Sequence, residues 1–139
     1  MGDRRVTAVL LALALAAAAA ALPAAGAPRR VYLSNCTKPE YAPKLLVLAC
    51  ADVNTYVQGL TWTNWNAATA TARGTFVANT CTPNCAAGHF KRYAASLTAS
   101  AAKVCGRSRK LQYTKVVVTL NGARPPGMPR RTAYAIFCT

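Results

Sequence analysis

Beyond its first 26 residues the chain offers acid–base chemistry one histidine, His89, and two carboxylates, Glu40 and Asp52. A serine hydrolase would have to combine His89 and Asp52 with one of Ser34, Ser96, Ser100 or Ser108, and the Gly-x-Ser-x-Gly turn that exposes such a serine is missing. A glycosidase would need Glu40 and Asp52 themselves as its carboxylate pair. The least strained chemistry is that of a small basic ribonuclease, with Glu40 as base, His89 as acid and Arg73 or Arg92 at the phosphate. No local motif supports any of the three. Cys81, Cys85 and His89 are residue types that suit zinc, but a structural zinc site takes four ligands. The expectation is therefore a protein that is not an enzyme and holds no metal or cofactor.

Charge is the stronger signal. The 139 residues contain 17 Lys and Arg against 3 Asp and Glu, a net charge of +14. Such a surface concentrates polyanions around it. The cations fall in three clusters: Lys91 with Arg92; Arg107, Arg109 and Lys110; and Arg124, Arg130 and Arg131. If the last two flank the closing strands at one end, they form a single patch with salt-sensitive, sequence-independent affinity for anionic polymers. No recognition helix or aromatic RNA-binding motif is visible, so sequence-specific nucleic-acid binding is not expected. Trp62 and Trp65, three positions apart, either close one end of the core or form a stacking surface for sugars or bases.

These groups must be positioned by a chain with an export leader. Arg4 and Arg5 precede a run of mostly Ala and Leu over residues 6–22, then Pro23 and the small residues Ala24, Ala25, Gly26 and Ala27. That is the layout of a secretory signal peptide, with cleavage after Gly26. The expected products are a signal-peptide helix, residues 1–26, whose contact with a membrane is transient, and one secreted domain, residues 27–139, extracellular or associated with the cell wall. All six cysteines lie in the secreted part, and an even count in an exported chain with a thin core implies a disulfide framework. The pairing expected is Cys36–Cys50, Cys81–Cys85 and Cys105–Cys138, the last tying the closing strand to the loop before its neighbour.

The pattern of apolar residues predicts an all-β fold, a small disulfide-stapled barrel or sandwich of about six or seven short strands. Residues 44–51 (KLLVLACA) are a continuous apolar run and the candidate central strand. Residues 55–61 pair with them in a hairpin, with Tyr56 and Leu60 on one face and Thr55, Val57 and Thr61 on the other. Residues 66–73 are rich in Ala and Thr and read as a loop, and residues 74–79 as a strand. Cys81 to Cys85 enclose Pro83 and form a bridged turn. Residues 89–98 alternate as a strand, with an Ala-rich helix over 94–104 as the rival. Residues 111–120 (LQYTKVVVTL) are a β-branched strand. The Pro-rich, basic stretch 121–131 connects it to a closing strand, 132–138.

From residue 35 to residue 88 the chain resembles a group of small secreted actinobacterial proteins of unknown function. The shared pattern is Cys36 with Pro39, then Cys50-Ala51-Asp52, Leu60-Thr61-Trp62 with Trp65, Gly74-Thr75, and Asn79, Cys81, Pro83, Cys85-Ala86 and Gly88. Asn84 stands where the group more often has serine. The resemblance implies an exported, cysteine-bridged β domain and carries no activity. The leading expectation is a secreted binder of anionic wall or extracellular polymers. The alternatives are an inhibitor or effector that presents the Cys81–Cys85 loop to a protein partner, and the ribonuclease-like enzyme above.

Overall fold

The computed structural model describes residues 29–139; the expected signal-peptide helix lies outside the described residues. The described chain is all-β. Its strands are β1 (Val31–Asn35), β2 (Lys38–Glu40), β3 (Leu45–Val47), β4 (Thr55–Trp65), β5 (Thr69–Asn79), β6 (Phe90–Val104), β7 (Leu111–Leu120) and β8 (Arg131–Ala135). They form one sheet in the order β2-β1-β7-β6-β5-β4-β3, with β8 also on β7, curled into a half-barrel. The count is eight rather than six or seven, and four strands are long, because the central ones run through stretches that looked like turns. All pairings are antiparallel except β1 with β7.

Curvature comes from small residues and bulges. The inner face of β5 and β6 carries Ala70, Ala72, Ala95 and Ala99, all buried. Short side chains there let the ends of the sheet approach, and the larger Leu33, Leu60, Phe76, Leu97, Tyr113 and Leu120 fill the trough. The Ala- and Thr-rich stretch 66–73 is accordingly no loop: from Thr69 onward it is the first half of β5, paired with both β4 and β6. The rival helix over 94–104 is strand too. Ala95, Leu97 and Ala99 face the core in strict alternation, and only a period of two can bury all three.

Two register shifts in β4 reassign its faces. The first, between Gln58 and Thr61, is built on Gly59 at φ +63°. It brings Val57 and Leu60 to the same buried face, where simple alternation had set Leu60 with Tyr56. The second, between Trp62 and Asn64, lets the two indoles meet edge to face at 4.5 Å between centroids.

Residues 44–51 also depart from expectation. Only Leu45–Val47 are strand, and β3 is the edge of the sheet, not its centre. Leu46 is fully buried while Leu45 is 40% exposed, so a continuous apolar run here serves one face only. Beyond Val47 the chain is drawn off the sheet by the Cys36–Cys50 bridge. All three expected disulfides are present: Cys36–Cys50, Cys81–Cys85 and Cys105–Cys138.

Gly74 sits opposite the first bulge. A Cβ there would lie 2.8 Å from the Gln58 carbonyl oxygen and 3.1 Å from Leu60 Cδ2. The Gly74→Ala variant is expected to lose about 1–3 kcal/mol of stability, because backbone as well as side chain must shift to admit the methyl group. Chemical denaturation of the oxidised protein measures this, and a loss below about 0.5 kcal/mol would show that the β4–β5 approach is looser than it is drawn here.

Candidate functional site

The basic clusters are distributed by the direction of β6 and β7. Arg107, Arg109 and Lys110 precede Leu111 at the start of β7, whereas Arg124, Arg130 and Arg131 follow Leu120 at its end. A strand of this length separates them by about 30 Å. They do not form one patch, as the flanking-strand argument had supposed. Lys91 and Arg92 join the second group instead, because β6 is antiparallel to β7 and Ala95 pairs with Leu120. The sheet therefore has two basic ends.

At the β7 N-terminal end, Arg29 and Arg30 add to Arg109 and Lys110. The four cations line a surface cleft of about 410 Å³ with Tyr32, Val104 and Leu111. On the other side of Arg29 and Arg30 lies a second cleft of about 470 Å³, walled by Tyr41 and Trp65. Sequence reasoning passed over Arg29, Arg30, Tyr32 and Tyr41, which lie outside its three basic clusters. The signal that could have found them is the alternation of cation and aromatic from Arg30 to Tyr32.

This end is rigid for identifiable reasons. Gln112 is fully buried, and its Nε2 donates to Ser108 Oγ and to the Thr139 carbonyl, both at 2.7 Å. The basic turn is closed by Cys105 N–H to the Lys110 carbonyl and by Arg109 N–H to the Cys105 carbonyl. Cys105 is tied to Cys138. The aromatic rings form a connected ribbon: Tyr32 meets Tyr41 at 6.5 Å, Tyr41 meets Trp65 at 5.3 Å, and Trp65 meets Tyr113 at 5.4 Å. Two cations lie over this ribbon at 4.7 Å, Arg30 on Tyr41 and Lys110 on Tyr32. The indole N–H groups are spent inside the fold: Trp62 donates to the Pro43 carbonyl at 2.8 Å and Trp65 to that of Val31 at 3.0 Å. Tyr113 donates its hydroxyl to the Asn66 carbonyl. Burial raises the Tyr113 phenol above its ordinary value near 10, against the lowering effect of that hydrogen bond, and burial raises Tyr134 likewise.

The opposite end carries the Cys81–Cys85 loop, with a cis Thr82–Pro83 bond. Asn79 organises it. Its Nδ2 donates to Asn54 Oδ1 and to the Cys85 carbonyl, both at 2.8 Å, and its Oδ1 accepts from Cys81 N–H at 3.0 Å. Gly88 packs against this side chain so closely that a Cβ would clash with it. A cleft of about 680 Å³ between this loop and Pro125-Pro126 holds His89, Lys91 and Tyr93. Glu40 is remote from His89. It pairs with Leu33, beside Tyr113 and hence level with Ala102, whereas His89 precedes Phe90 at the far end of β6, about 40 Å along an extended strand. The Glu40–His89 acid–base pair considered for ribonuclease chemistry is not assembled. Cys81 and Cys85 are bonded to each other, and no group of three metal-ligating side chains occurs among the described residues. The three disulfides suit an oxidising, extracellular setting. No known protein family, curated protein or solved structure matches the chain.

Two outcomes follow from this geometry. In an alkaline absorbance titration, Tyr113 and Tyr134 should ionise above the ordinary tyrosine value of 10.0. Their folded-state values lie above the unfolded one, so their share of stability is full below pH 10.0 and is lost as the pH rises through the folded values. Ionisation of Tyr113 and Tyr134 at the ordinary value in the native state would contradict their burial. Asn79→Ala should cost about 1–3 kcal/mol by leaving loop groups unpaired. It should also expose the Cys81–Cys85 loop to limited proteolysis while the ladder of β6 and β7 stays protected from hydrogen exchange.

Proposed function

We propose that this protein is exported and acts without catalysis, binding anionic polymers of the cell wall or extracellular space through the end of the sheet that carries Arg29, Arg30, Arg107, Arg109 and Lys110. The observation that carries this reading is the pair of cations lying over the aromatic ribbon, Arg30 on Tyr41 and Lys110 on Tyr32. A cation held over a ring is restrained in position, yet keeps donors for phosphate or carboxylate oxygens. The exposed ring of Tyr41 beside Trp65 offers an apolar face to a sugar or polyol. A polymer that alternates phosphate with sugar or polyol, as teichoic polymers do, fits both halves of this surface. Glu40 and Asp52 are the only carboxylate side chains in the described residues, so most of the cations there are left for external anions. The second basic end, with Lys91, Arg92, Arg124, Arg130 and Arg131, adds long-range attraction.

The test is a titration of the oxidised protein with poly(glycerol phosphate), followed by tryptophan fluorescence because Trp65 lines the cleft, at several salt concentrations. Affinity should fall steeply with salt, and replacing both Arg109 and Lys110 by alanine should reduce the slope of log affinity on log salt by about two. The same replacement of Arg130 and Arg131 should have a smaller effect on the fluorescence change. Salt-independent binding, or equal losses at the two ends, would overturn the assignment. Cleavage of single-stranded RNA in a parallel reaction would overturn the non-catalytic reading.

A further inference from the structure

Among the described residues the sheet has three free strand edges, and they are not treated alike. On β2, three residues long, Pro39 has no N–H to offer. On β3, two of the groups that face away from β4 are already taken: Asn35 Nδ2 donates to the Leu45 carbonyl at 3.2 Å, and Val47 N–H donates to Asn35 Oδ1 at 3.0 Å. One carboxamide thus occupies the place of a neighbouring strand. On β8 there is no such cover among the described residues. Leu120 N–H donates to the Arg130 carbonyl and Ile136 N–H to that of Thr114, which fixes the even-numbered residues of β8 as those bonded to β7. Arg131, Ala133 and Ala135 therefore direct their N–H and C=O groups away from the sheet, and all three are exposed.

An open edge of small residues is a template for another strand. Its surroundings say which kind. Arg131 lies on the edge itself, Arg130 precedes it, and Lys115, exposed on β7, pairs with Ala135 and so shares the outer face. On the other face Thr132 and Tyr134 turn inward, and Tyr134 packs against the core. Just past the strand, Phe137 is 75% exposed. A second copy of this chain would bring one strongly basic surface against another and set each Arg131 beside its partner's edge, so charge disfavours it.

We propose that β8 accepts an extended acidic segment of another protein as an added strand, with acidic side chains on the face of Arg131 and Lys115 and apolar side chains on the face of Tyr134. The backbone supplies the bonds and the flanking cations select the sign of charge. This surface is separate from the polymer-binding end, and neither proposal rests on the other.

The experiment uses a fluorescent (Glu-Val)4 peptide, with two controls of equal charge: one with every valine replaced by proline and every glutamate amide N-methylated, and one N-methylated at every amide. The alternating peptide should bind about tenfold more tightly than either control, since both controls lack the donors that strand pairing needs. Ala133→Pro removes an outward N–H and no bond to β7, so it should leave thermal stability and poly(glycerol phosphate) binding unchanged. In that variant all three peptides should bind equally weakly. The controls alone keep the test decisive if the variant folds poorly. Equal binding of the three peptides to the natural protein would overturn the proposal. So would sedimentation showing that the protein self-associates through this edge and that Ala133→Pro abolishes the association.

Discussion

The fold depends on bending a long antiparallel ladder until its inner face closes on itself. A flat sheet of β4 to β7 would expose the apolar face of every strand. Here the bend is made where backbone meets backbone: Gly59 in the bulge of β4, Gly74 directly across from it, and alanines along the inner face of β5 and β6. Everything larger in the core fills the trough so created. The bend also decides where Trp62 and Trp65 point, because the second register shift of β4 turns both toward one side. Without it, two residues three apart on a strand would face opposite ways.

A half-barrel has a seam, and the seam is held by few groups. Asn35 ties β1 to β3 through both atoms of its carboxamide, and Cys36–Cys50 fastens the same corner. At the other closure, Gln112 and Cys105–Cys138 fix the C-terminus against the start of β7. In a domain this small, with a core rich in alanine, such local fasteners carry stability that a larger core would supply elsewhere. The basic turn before β7 is bridged and hydrogen-bonded, so its cations start from a restrained backbone.

Much of this was legible in the residues, and the failures have physical causes. The β-branched run of β7 was bounded correctly because branching, alternation and flanking turns agreed. The expected disulfide pairing is the one present, although only for Cys105–Cys138 did the order of strands supply a reason. The run at residues 44–51 misled because continuous apolarity signals a strand buried on both faces. An edge strand leading into a bridged turn also uses apolar residues, some of them on the surface. Residues 66–73 misled in the opposite way: alanine is a poor strand former by propensity, yet a sharply curled sheet needs it on the concave side. The grouping of the basic clusters was a matter of strand direction, which a single sequence does not encode locally.

That last point bears on function. Net charge predicts attraction to polyanions and says nothing about where a polymer would rest. The two ends of the sheet are both basic, and charge alone does not distinguish them. What does is the company of the charges. At the far end the cations stand beside a loop held by Asn79 and the proline-rich connection. At the near end Arg30 lies on Tyr41 and Lys110 on Tyr32, and Tyr41 packs in turn against Trp65, whose own N–H is committed to Val31. The indole is thereby fixed as an apolar wall rather than a hydrogen-bonding group. On the polymer-binding proposal, a polymer with sugar or polyol in its repeat uses both parts of this surface, whereas a bare polyelectrolyte uses only the cations. On that proposal Trp65, packed against the core, also serves as the wall of the cleft beside the cations.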